Sequence, residues 1–75
     1  MNKQQFAETY EKVCKALNDY KLYVLAGKDE ITILYPIHGQ GSILSEIIGE
    51  TLKDLDHKIT VTPSEKKLVI TFGGE

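Results

Sequence analysis

The side chains able to do chemistry in this sequence are two histidines, one cysteine, four tyrosines, and a glycine-rich segment lying ahead of a helix-like pattern. His38 and His57 are the groups that change charge nearest neutral pH. They bracket a helical stretch that, at 1.5 Å per residue, holds them ~20 Å apart, too far to share a proton or a metal ion. His57 has Asp54 and Asp56 beside it. A metal ion needs ligand geometry as well as ligand types, and three side chains in one turn lack a second cluster to complete a shell. These residues read as solvated loop positions, and no metal or other cofactor is expected. Cys14 would need a basic partner and an exposed position to act as a nucleophile. Neither is in view, so Cys14 is expected as a small core residue. With no catalytic residue assigned, the chain is expected not to be an enzyme.

Gly39-Gln40-Gly41-Ser42 leads into a helix N-terminus, where free amide protons and the helix dipole favour an anion. The expected topology brings Lys66 and Lys21 to the same end. A phosphate or carboxylate would then meet Gly39, Gln40, Gly41, Ser42 and Lys66. The segment is neither a phosphate-binding P-loop nor a dinucleotide fingerprint, since it lacks the third glycine and the βαβ setting. Glycine and serine are favoured in loops anyway. A flexible connector ending in a Ser42 N-cap is the preferred reading.

Positioning these residues falls to two helices and two hairpins. Phe6, Tyr10, Val13, Leu17 and Tyr20 recur at helical spacing, and Asn2 with Gln5 three residues on matches a capping box, so a helix is predicted over 2–17. Residues 21–26 and 31–37 are rich in β-branched and aromatic side chains around a Gly27-Lys28-Asp29-Glu30 turn. They read as a hairpin with Pro36 at the end of its second strand. A second helix is predicted over 42–55, with Ile43, Leu44, Ile47, Ile48, Leu52 and Leu55 as its apolar face and Gly49 suited to close packing. The strands 58–62 and 67–72 close the chain around Pro63-Ser64-Glu65-Lys66.

The halves, about 2–37 and 42–72, match each other. A shift of 37 aligns the hairpins (Val24 with Val61, Ile33 with Ile70), and a shift of 38 aligns the helices (Tyr10 with Ile48, Cys14 with Leu52). The chain therefore reads as a single domain over 1–75 of two pseudo-symmetric αββ units. The fold class is α+β, with a four-stranded antiparallel sheet and both helices on one face. The strands richer in apolar residues belong in the centre, which selects the order 1-2-4-3, a circular permutation of the ferredoxin-like sheet. That likeness is one of fold and carries no function.

Alternation turns Leu22, Val24, Ile31, Ile33, Tyr35, Ile59, Val61, Leu68, Ile70 and Phe72 toward the helices. The other face should be polar if it is uncovered, yet Tyr23, Leu25, Leu34 and Val69 fall together on it. Such a patch marks an interaction surface, and Tyr23 is its foremost binding residue. Among the other tyrosines, Tyr10, Tyr20 and Tyr35 lie on core-facing stripes with hydroxyls at the rim.

Charge and size narrow the partners. Seventy-five residues make a thin core, and a net charge of −2 with interleaved signs offers no basic tract for nucleic acid. The expected partner is another protein or a second copy in a homodimer. Two other readings stand behind it. One is single-stranded nucleic acid on the same face, with Tyr23 stacking a base beside Lys21, Lys58 and Lys67. The other is a small anion at the 38–42 loop. The polar N-terminus resembles no signal peptide and no stretch is long and apolar enough for a membrane span, so the cytoplasm is the expected place.

Overall fold

A computed structural model describes residues 2–73. Helix α1 spans Lys3–Ala16, strand β1 Tyr23–Gly27, β2 Glu30–Leu34, helix α2 Gln40–Thr51, β3 His57–Thr62 and β4 Lys67–Phe72, with a 3₁₀ turn at Pro63–Glu65. The sheet is antiparallel throughout in the order β1-β2-β4-β3, as the apolar content of the strands predicts. Central strands β2 and β4 supply the fully buried Ile31, Ile33, Leu68 and Ile70, while Val24, Ile59 and Val61 on the two edge strands are only half-buried. Val13 and Leu17 of the first helical segment and Leu44, Ile48 and Leu52 of the second join them in one core.

Helix α1 begins as its sequence dictates. The Asn2 side chain accepts from the Gln5 amide at 2.8 Å, and the Gln5 side chain accepts from the Asn2 amide at 3.3 Å. Two of the orphan amides of the first turn are thereby satisfied. One residue on the inner face has no apolar signature: Thr9 is buried, and its hydroxyl donates to the Gln5 carbonyl at 2.8 Å.

Helix α2 departs from expectation at both ends. It starts at Gln40 and not Ser42, its N-cap is Gly39 in the left-handed region at φ 91°, and no side chain caps it. Ser42 is therefore a helical residue with an exposed side chain and not the cap. The reason lies in Gly41, whose lack of a side chain lets the first turn lie against Tyr35 and Val61; a Cβ there would come within 2.5 Å of the Tyr35 hydroxyl. Gly41, Leu44 and Ile48 are buried, and this inward register rotates Ile43 out to 52% exposure. The helix closes at Leu52, and 52–55 continue as a turn in which the Leu55 amide donates to the Leu52 carbonyl at 2.9 Å. Gly49 has nothing within 4 Å of where a Cβ would sit, so it serves no close packing.

The first hairpin is also shorter than expected. β1 begins at Tyr23 and β2 ends at Leu34, leaving Pro36 and the exposed Ile37 in the connector. His57, expected in a loop, opens β3.

Candidate functional site

Apart from Cys14 beside Tyr10, the side chains able to do chemistry stay apart from one another. His38 is exposed in the connector, and His57 is half-buried on the helix-facing side of β3 opposite Phe72. The Nδ1 of His57 lies 2.6 Å from the Leu55 carbonyl. A carbonyl only accepts, so Nδ1 carries the proton and donates it. Among the described residues, no three His, Cys, Asp or Glu side chains come together in a group able to hold a metal ion. Cys14 is half-buried beside Tyr10. Burial, with the Cys14 thiol as a further cause, pushes the Tyr10 phenol above its ordinary pKa. The Tyr10 hydroxyl donates to the Val24 carbonyl at 2.8 Å.

The 38–42 connector and the β3–β4 turn do meet at one end of the sheet. The Tyr35 amide donates to the Lys66 carbonyl at 3.0 Å, and the Lys66 ammonium to the Pro36 carbonyl at 3.4 Å. Between them lies an open recess of about 260 Å³ lined by Tyr35, Gly39, Gly41, Ser42, Ser45, Val61 and Pro63. Lys66 and Gln40 stand outside that lining: the Lys66 ammonium sits on a backbone carbonyl, and the Gln40 side-chain oxygen is buried without a partner among the described residues. An acceptor without a donor is no ligand for an anion.

The open face of the sheet is a more coherent surface. Pairing registers set its side chains in rows running β1-β2-β4-β3: Gly27–Glu30–Thr71–Lys58, then Leu25–Thr32–Val69–Thr60, then Tyr23–Leu34–Lys67–Thr62. Tyr23 and Leu34 are direct neighbours, and Leu25 and Val69 flank Thr32 in the adjacent row. Tyr23 is 74% and Leu25 51% exposed, while Leu34 and Val69 are half-buried. The patch is thus densest on the first hairpin and fades into threonines toward β3. The three lysines near it do not converge. Lys58 lies on the far edge strand, Lys21 precedes β1, and Lys67 is paired with Glu65 at 3.2 Å.

Sequence reasoning overlooked the edge of β1, which alternation along a single strand cannot expose. The bond from the Phe72 amide to the Asp29 carbonyl and the bond from the Tyr35 amide to the Lys66 carbonyl bracket the β2–β4 ladder. In an antiparallel ladder hydrogen-bonded pairs alternate. Ile31 and Ile33 therefore direct their backbone groups to β4, and Glu30, Thr32 and Leu34 direct theirs to β1. Their β1 partners are Gly27, Leu25 and Tyr23. The amides and carbonyls of Val24 and Ala26 consequently point away from the sheet, and the Tyr10 hydroxyl meets the Val24 carbonyl there.

Among the described residues, no helix is long and apolar enough to cross a membrane. No protein-family model, no curated protein and no solved structure matches this chain.

Proposed function

We propose that this domain is a small, non-enzymatic protein-interaction or self-association module of the cytoplasm, working through the open sheet face of its first hairpin. The carrying observation is the exposure of Tyr23 and Leu25 at 74% and 51% beside Leu34 and Val69, on the face turned away from both helices. A large aromatic and a large aliphatic side chain left in water, with apolar neighbours in adjacent strands, gain free energy when a partner covers them. Tyrosine suits such a surface because its ring buries area while its hydroxyl keeps a polar contact. The spread of lysines and the Lys67–Glu65 pair favour a protein partner over a phosphate backbone.

Two variants made separately, Leu25→Lys and Leu34→Lys, test this reading. Each adds a charge to the open face and leaves the core side untouched. Sedimentation and affinity capture from the native host, compared with wild type, should show loss of self-association or of a specific partner in at least one variant. Retention of every association by both variants overturns the reading.

A further inference from the structure

We infer that the partner is a second copy of this chain, joined edge to edge through β1 in an antiparallel register centred on Leu25. This rests on the open-face reading above and names its occupant. β1 is an edge strand whose five residues, Tyr-Val-Leu-Ala-Gly, carry no charge and no proline. Edge strands are ordinarily blunted by such residues or by a covering element. The opposite edge, β3, has both, with Lys58 within it and Pro63 directly after it. On β1 the amide of Val24 and both backbone groups of Ala26 have no hydrogen-bond partner among the described residues. The Val24 carbonyl, engaged by Tyr10, keeps its second lone pair.

Three two-fold registers bring these outward groups face to face. Centring on Val24 or on Ala26 pairs that residue with itself and leaves the other opposite Leu22 or Lys28. Centring on Leu25 pairs Val24 with Ala26 of the second copy, twice, and so uses all four outward groups on each strand. That same register places the open-face residues in complementary pairs. Leu25 meets Leu25, Tyr23 lies over Gly27, and beyond the strand ends Lys21 stands opposite Asp29. The Glu30 side chain lies over Gly27, its Cγ 3.0 Å from where a Cβ would sit, so in this register the Tyr23 ring packs on the Glu30 stem. Neither Lys21 nor Asp29 has an ion-pair partner within the chain among the described residues. Residues on the same face meet throughout, so the product is one eight-stranded sheet with four helices on one side. The contact is isologous, and it closes at two copies.

The test separates edge pairing from use of the face alone. Wild type at about 500 μM, a concentration chosen because a short edge contact lies at the weak end of interface sizes, should sediment at twice the chain mass of 8.4 kDa. Ala26→Pro deletes an outward amide, keeps every open-face side chain, and leaves the β1–β2 ladder intact; it should sediment at the monomer mass with an unchanged circular dichroism spectrum. In a Cys14→Ala background, Leu25→Cys should form a covalent dimer on mild oxidation, since directly opposed residues of a non-hydrogen-bonded pair lie ~4.5 Å apart at Cα. Thr60→Cys, in the same row at the other edge, should not. Should Ala26→Pro fail to fold, the cysteine pair decides alone. A monomeric wild type, or absence of the Leu25→Cys cross-link, overturns edge pairing. If Leu25→Lys still abolishes a protein association in that event, the open-face reading stands and only its occupant is wrong.

Discussion

The β1–β2 and β3–β4 hairpins repeat each other in backbone and core but part on their outer surfaces. Each turns through a non-glycine residue in the left-handed region, Asp29 at φ 55° and Lys66 at φ 51°, at positions 37 residues apart. Each sends its aliphatic residues into the same core, Ile31 and Ile33 from one, Leu68 and Ile70 from the other. Outside, the first presents Tyr23 and Leu25 on an uncharged edge, and the second presents Thr60 and Thr62 on an edge with Lys58 and a following proline. A shared core therefore says little about a shared surface. Burial demands apolar residues of both units alike, whereas the outer face is free to diverge toward binding in one and toward solubility in the other.

The helices extend the comparison. Their N-caps, Asn2 and Gly39, are also 37 residues apart, but their C-caps, Leu17 and Leu52, are only 35 apart. α2 is accordingly the shorter, at 12 residues against 14. Its buried residues register with those of α1 at a shift of 35 (Thr9 with Leu44, Val13 with Ile48, Leu17 with Leu52), not at the 38 that sequence matching prefers. Matching by hydrophobicity paired Cys14 with Leu52, whereas packing leaves Cys14 half-buried and takes Thr9 inside.

The sharpest way to break this comparison is at the start of α2. Gly41→Ala drives a methyl to 2.5 Å from the Tyr35 hydroxyl and 2.8 Å from a Val61 methyl, so one or both side chains must shift. It should cost about 1–3 kcal/mol in urea unfolding. Gly49→Ala, eight residues on and facing open space, should instead gain roughly 0.5–1 kcal/mol from helix propensity. Opposite signs from the same substitution would show that only one glycine is structural; equal signs would remove that distinction. Next in size is the difference between caps. Asn2→Ala should lose about 1 kcal/mol because a side-chain acceptor disappears, and Ser42→Ala should stay within ~0.5 kcal/mol of wild type. A larger loss at Ser42 would restore it as a cap.

The smallest effect concerns Tyr10, which ties α1 to the edge of the first hairpin. Burial holds its phenol above the ordinary pKa, so the fold favours the protonated form. The stability this gives is fully present below the ordinary tyrosine value near pH ~10 and falls as pH rises through the folded-state value. Wild type should lose stability across that alkaline range more steeply than Tyr10→Phe. Parallel pH profiles for the two would show that Tyr10 is not the group responsible.

Much of the candidate surface was legible in the sequence, because β-strand alternation is a local rule. Tyr23, Leu25, Leu34 and Val69 could be placed on one face from their spacing, and the apolar content of the strands indicated which of them would be neighbours. The start of α2 was not legible in the same way. Serine is a strong N-cap by local chemistry, and nothing local says that Gly41 must fit beneath Tyr35 and against Val61, residues 6 and 20 positions away in the chain. The exposure of Ile43 follows from the same contact.

Periodicity and capping chemistry by themselves determined the αββαββ order, the core-facing set of each strand and the capping box of α1, because these depend on residues a few positions apart. Tertiary structure alone decided the left-handed cap at Gly39, the 35-residue register of the helices and which edge of the first hairpin is left uncovered. The reason is physical: the first turn of α2 settles where Gly41 can lie against Tyr35 and Val61, and which edge of a hairpin is covered depends on where a strand distant in sequence pairs. The first hairpin carries apolar side chains by sequence, and its β1 edge stays open because β4 pairs with β2 and not with β1.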